Sequence, residues 1–62
     1  MTHAQHAYLH ADRAVHHWQL ILAGSLSAAQ RQRARIELIR AVGQRTRAKL
    51  EMEQEPTEQV AA

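Results

Sequence analysis

Two helix-start motifs on either side of one glycine divide this chain into two helical segments. Thr2-His3-Ala4-Gln5 and Ser27-Ala28-Ala29-Gln30 both match the capping box, in which a Ser or Thr hydroxyl and a Gln side chain satisfy the first free N–H groups of a helix. Gly24 lies between the motifs and interrupts the helical pattern. The sequence therefore predicts an all-α, two-helix antiparallel hairpin, with helix 1 over about residues 3–23, a turn at 24–27 and helix 2 over about 28–53.

The length of 62 residues limits the chain to one domain, and a single hairpin of this length is hard to stabilise. Two packed helices bury little apolar surface compared with the entropy that the chain loses on folding. The sequence contains no cysteine, which excludes disulfides and cysteine-ligated zinc as additional support. We therefore expect either a second copy, giving a four-helix bundle, or another protein to complete the core.

Each helix carries an apolar face at heptad spacing, which indicates the surfaces that meet in the hairpin. The residues predicted for the hairpin core and the dimer contact are Ala11, Val15, Trp18, Ile21, Leu22, Leu38 and Ala41. Ile39 and Val42 are expected to flank this face of helix 2. A surplus of large aliphatic residues lies away from both faces: Leu9, Leu20, Ile36 and Leu50. The surplus predicts a homodimer or an exposed binding patch, with scattered surface residues as the alternative.

Charge is unevenly distributed along the chain, because helix 2 is basic and the C-terminal segment is acidic. Residues 31–49 hold seven basic side chains against one acid, Glu37. The C-terminal segment holds four glutamates and no base: Glu51, Glu53, Glu55 and Glu58. Pro56 ends a helix at or before Glu55, so residues 54–62 are predicted to form a flexible acidic tail.

The basic side chains of helix 2 form two groups with different predicted roles. The first group borders an apolar centre, as in many protein-binding surfaces, and gives the predicted partner-binding set Arg31, Arg35, Leu38, Val42, Arg45 and Lys49. The second group repeats every seven residues, suits the phosphates of nucleic acids, and comprises Arg33, Arg40 and Arg47. A solvated face with local ion pairs to Glu37 and Glu51 is the alternative for the second group. Simple solvation at the edge of the core is the alternative for the first group.

The sequence contains no recognisable catalytic or metal-binding set. All five histidines lie in the first 17 residues, and His6 with His10 has the spacing of two metal ligands on one helix face. No carboxylate on that flank supports them, so we interpret them as polar surface and expect no metal or cofactor. There is no cysteine nucleophile or glycine-rich phosphate loop, and the chain is predicted not to be an enzyme. Without signal-peptide features or an apolar run of about 20 residues, we expect a cytoplasmic protein with no membrane partner.

The chain resembles two groups of small helical-hairpin dimers. Its length and two-helix plan without cysteine are similar to plasmid copy-number regulators, which form four-helix bundles and bind paired RNA loops. The Ala/Arg/Gln-rich composition, the His17-Trp18-Gln19 stretch before the turn and the run 31–35 after it resemble phage-encoded hairpin dimers of the quorum-sensing anti-activator type. That resemblance implies a homodimer that captures and inhibits a bacterial host protein, such as a transcriptional regulator, without chemistry of its own. A dimeric nucleic-acid-binding protein that uses the basic second helix is the alternative.

Overall fold

The computed structural model describes residues 1–54, which form two α-helices joined by a short turn. Helix α1 spans His3–Leu22 and helix α2 spans Ala28–Gln54. The two helices pack against each other, and residues 1–54 contain no strand. The all-α, two-helix fold predicted from the sequence is thus confirmed. Of the predicted acidic tail, Gln54 is the last residue of α2, and residues 55–62 lie outside the described residues.

Both predicted capping boxes form, and they fix where the helices begin. The Thr2 Oγ1 accepts a hydrogen bond from the Gln5 backbone N–H at 3.2 Å, and the Gln5 side chain accepts one from the Thr2 N–H at 2.8 Å. Ser27 and Gln30 make the same reciprocal pair, at 3.2 and 3.0 Å. Each helix therefore starts where a short polar side chain satisfies backbone donors that have no partner within the helix.

Helix α1 ends in a tight turn in which no residue adopts the left-handed conformation. Ala23 keeps helical backbone angles and its N–H donates to carbonyls of the last turn. The Gly24 N–H donates to the Ile21 carbonyl at 3.1 Å, and φ is positive at none of the described residues. The helix is thus closed by bonds spanning three residues, not by the left-handed glycine that is common at helix C-termini.

The core of the hairpin is a seam of small side chains. The fully buried residues are Ala4, Ala11 and Val15 in α1 and Ala34, Ala41 and Ala48 in α2. Val15, 1% exposed, is the largest of them. Methyl side chains allow two helices to approach closely, because the distance between helix axes depends on the side chains at the contact. Each alanine also removes little apolar area from water, so the hairpin is closely packed but its core is thin.

The residues predicted for the core and the dimer contact separate into two groups by burial. Ala11, Val15 and Ala41 are buried. Trp18, Ile21, Leu22 and Leu38 are only half-buried. The Trp18 ring packs edge to face against His17, with ring centroids 5.1 Å apart. A single hairpin therefore leaves part of each large side chain of the predicted core at the surface.

One ion pair links the two helices, and the sequence analysis missed it. The Arg45 Nη1 donates to the Asp12 Oδ1 at 3.0 Å, and each side chain is about one third exposed. The His16 Nδ1 lies 3.8 Å from the second oxygen of the same carboxyl group, Asp12 Oδ2. Because Asp12 and Arg45 belong to different helices, their hydrogen bond favours one alignment of α1 with α2.

The substitution Ala41→Leu should destabilise the hairpin, because a branched side chain would force the closely packed helices apart. Overpacking of this kind costs about 1–3 kcal/mol in the free energy of unfolding. The control Ala29→Leu makes the same change at an exposed position of α2 and should cost less than about 0.5 kcal/mol. Chemical denaturation followed by circular dichroism measures both, and equal effects would show that the seam is not closely packed.

A double-mutant cycle with Asp12→Ala and Arg45→Ala should give a coupling of about 0.2–1 kcal/mol in the free energy of unfolding, as for other partly exposed ion pairs. The coupling should fall with added salt, because solvent ions screen the pair. The Arg40 Nη1 lies 3.4 Å from the Glu37 Oε1 within α2, and this pair provides a comparison that does not link the helices. No coupling between Asp12 and Arg45 at low salt would mean that the pair does not contribute to the alignment of the helices.

Candidate protein-binding surface

The predicted partner-binding residues lie together along one side of α2. Arg35, Val42 and Lys49 are exposed, and Arg31, Leu38 and Arg45 are half-buried. Tyr8 of α1 joins Arg45 and Lys49 around a shallow surface depression, so this side of α2 continues onto α1. The Arg45 guanidinium donates to Asp12, so one cation of the set is already paired across the hairpin.

The second basic group lies on another side of α2, and all three of its arginines are exposed: Arg33, Arg40 and Arg47. Arg40 forms the local ion pair with Glu37. Within residues 1–54, neither Arg33 nor Arg47 has a carboxylate oxygen within 4.0 Å. The expected self-paired face is therefore formed only in part, and two of its guanidinium groups remain open to phosphates or carboxylates.

The large uncovered aliphatic side chains of α2 lie on a third face, between the two basic groups. Ile36, Ile39 and Leu50 are 45%, 70% and 52% exposed. Gly43 and Thr46 lie on the same face between Ile39 and Leu50. The five positions, 36, 39, 43, 46 and 50, are separated by alternating steps of three and four residues. We call these five residues the outer stripe of α2. Their spacing is that of a coiled-coil contact face, although no part of the described chain covers it.

The position of Ile39 corrects the expectation that it flanks the hairpin core. Consecutive helical residues are about 100° apart, so Ile39 lies roughly 200° around α2 from Ala41. The residues of α2 that are buried against α1 are Ala34, Ala41 and Ala48, so Ile39 faces away from α1. The close approach of the helices selects the small side chains for the contact and leaves the larger aliphatic residue outside.

Basic residues border the outer stripe on both sides. Arg33, Arg40 and Arg47 follow one border, and Arg35 and Lys49 follow the other. In coiled coils, residues at such bordering positions pair with charges of the partner helix. Val42 is the uncharged member of the second border and is exposed. The outer stripe is thus a row of uncharged, mostly aliphatic residues with basic side chains along both edges.

Gly43 lies exposed in the middle of α2 and has no evident role inside the hairpin. A Cβ atom built on Gly43 meets no atom within 4 Å, and its φ is not positive. Glycine in a helix interior costs about 0.5–1 kcal/mol relative to alanine, and no packing constraint within residues 1–54 requires it here. A residue without a side chain allows another backbone to come close, and Gly43 is the one position of the outer stripe of this kind.

The other surfaces of residues 1–54 do not combine exposed aliphatic side chains with rows of cations as α2 does. Leu9 and Leu20 are exposed on α1, as expected for the surplus aliphatic residues. A groove of about 290 Å³ between the helices is lined by His3, Ala7, His10, Ala11, Gln44, Arg47, Ala48 and Glu51. Across residues 1–54, no three His, Asp or Glu side chains come together as a metal-binding group. Neither α1 nor α2 is long and apolar enough to cross a membrane.

Comparison with protein-family models, with curated proteins and with solved structures finds no match to this chain.

Proposed function

We propose that this chain is a non-enzymatic protein-binding module that inhibits a bacterial host protein, such as a transcriptional regulator, in the cytoplasm. The observation that carries the proposal is the exposure of large aliphatic side chains within a basic surface of α2. At protein interfaces, apolar groups supply desolvation energy while arginine supplies directional hydrogen bonds. Inhibition of a host regulator is implied by the resemblance to phage-encoded hairpin dimers.

In this proposal the partner contacts the side of α2 that carries Leu38 and Val42. The cations around them, Arg31, Arg35, Arg45 and Lys49, pair with carboxylates of the partner. Arg45 already donates a hydrogen bond to Asp12, and a guanidinium held in this way would lose less conformational entropy on binding. The exposed apolar surface extends from Val42 towards Ile39, so the contact area is larger than the predicted set alone.

A second copy of the chain completes the fold in this proposal. Trp18, Ile21 and Leu22 are half-buried at the end of α1 near the turn, where one hairpin leaves them partly in water. Packing two hairpins together at these residues gives a four-helix bundle with two-fold symmetry. The same contact presents two partner-binding surfaces in one particle, which strengthens binding to a dimeric target through avidity.

The alternative is a dimeric nucleic-acid-binding protein that uses Arg33, Arg40 and Arg47. Their exposure and regular spacing favour it, since each arginine can pair with a phosphate. The neighbouring exposed residues are aliphatic, however, and single-stranded nucleic acids are usually held by stacking on aromatic rings. Aliphatic side chains beside the cations favour a protein partner over a nucleic acid.

Affinity capture from a bacterial lysate discriminates the two candidates. The immobilised chain should retain a protein after nuclease treatment, and Val42→Glu should lower that retention about tenfold or more, because it places a carboxylate in the apolar centre. Gln44→Glu makes the same change of charge at an exposed residue outside the surface and should retain the protein.

The alternative predicts a different result. Retention would disappear on nuclease treatment and on replacing Arg33, Arg40 and Arg47 by Gln. It would also weaken steeply between about 50 and 200 mM salt, because phosphate binding releases counterions. That pattern, or a chain that retains no protein at all, contradicts the proposed protein-binding function.

A further inference from the structure

We propose that the outer stripe of α2 is the docking site for an acidic amphipathic helix of a partner protein. The inference rests on the proposed protein-binding function and specifies the chemistry of the partner. Three observations carry it: the coiled-coil spacing of the stripe, the exposure of its aliphatic side chains and the cations along both borders.

The shape of the stripe favours a helix as the occupant. From Ile36 to Leu50 the stripe extends about 21 Å along α2, the length of four helical turns. Ile39 and Leu50 are bulky, whereas Gly43 and Thr46 between them are small, so the middle of the stripe carries little side-chain volume. A large side chain of a partner helix can pack over Gly43 between its larger neighbours, as a knob packs into a hole in a coiled coil. This contact would account for a glycine at position 43, which no packing constraint within residues 1–54 requires.

The charges of the stripe decide between a second copy and a different partner. Pairing α2 with α2 of another copy brings the border arginines and Lys49 against like charges, which is unfavourable in either orientation. A helix with glutamate or aspartate beside its apolar line meets the same borders with opposite charge. Charge complementarity therefore assigns the stripe to a different protein and leaves dimerisation to the half-buried residues near the turn.

A nucleic acid satisfies the observations less completely. Phosphates would pair with the arginines of the two borders, but they would leave Ile39 and Leu50 in water. They would also make no use of the missing side chain at Gly43. An acidic amphipathic helix covers the aliphatic side chains and pairs with both borders at once, so the described residues favour it.

The test uses two labelled synthetic helices of about 21 residues, with leucine at the apolar heptad positions. One carries glutamate at the bordering positions, and the other carries lysine at the same positions. Fluorescence anisotropy with the full chain should show at least about tenfold tighter binding of the acidic peptide. Arg40→Glu combined with Arg47→Glu should largely abolish this preference, because three cations and two carboxylates then border the stripe.

The apolar contribution is tested with a matched pair of variants. Ile39→Gln removes an aliphatic side chain that is 70% exposed, so the hairpin should stay folded while binding of the acidic peptide falls about tenfold. Leu20→Gln makes a comparable change at a residue of α1 that is 76% exposed and should change the affinity less than twofold. Circular dichroism verifies that both variants remain helical.

Several results would overturn the inference. Equal affinity for the two peptides, or an Ile39→Gln variant that binds as the original chain does, would show that the stripe does not select an acidic helix. Duplex DNA that binds regardless of Ile39→Gln but not after the double arginine substitution would assign the borders to phosphate. Retention of a lysate protein that depends on Val42 and not on Ile39 would overturn this inference while leaving the proposed function intact.

Discussion

The close approach of α1 and α2 along buried alanines is the constraint on which the rest of the structure depends. Ala34, Ala41 and Ala48 recur every seven residues, so the same face of α2 meets α1 at every second turn. Methyl groups bring the helices together but remove little apolar area from water. The contact buries five alanines and one valine, Val15, whereas the larger apolar residues of the hairpin remain partly or wholly outside it. A thin core and an aliphatic surface thus have the same cause.

The positions of those larger residues divide the surface between two roles. Near the turn, Trp18 and Ile21 are half-covered and form the edge that a second copy completes in the proposed bundle. On α2, Ile39 and Leu50 lie between cations, which repel another α2 and attract carboxylates. The first surface lies on α1 and the second lies on α2. In this account a dimer therefore forms without covering the surface that binds the partner.

Local interactions were predictable from the sequence, whereas interactions between the helices were only partly so. The capping boxes involve residues three positions apart, and both were identified correctly. The pair between Asp12 and Arg45 spans 33 positions and depends on how the helices are rotated about their axes, which heptad spacing alone does not determine. Ala41 was placed correctly in the core, but Ile39 was expected at its edge, and the rotation of α2 that buries Ala34, Ala41 and Ala48 turns Ile39 away from α1. The predicted partner-binding set stays a prediction, since its function depends on a molecule outside the chain.

Sedimentation equilibrium, with helicity followed over the same concentrations, tests most directly the claim that a second copy must complete this hairpin. The account predicts a helical particle of twice the chain mass that loses helicity as dilution separates the copies, because each hairpin alone has a thin core. A chain that stays fully helical with the mass of one copy at every concentration would contradict it. The alanine seam would then be sufficient to stabilise the fold.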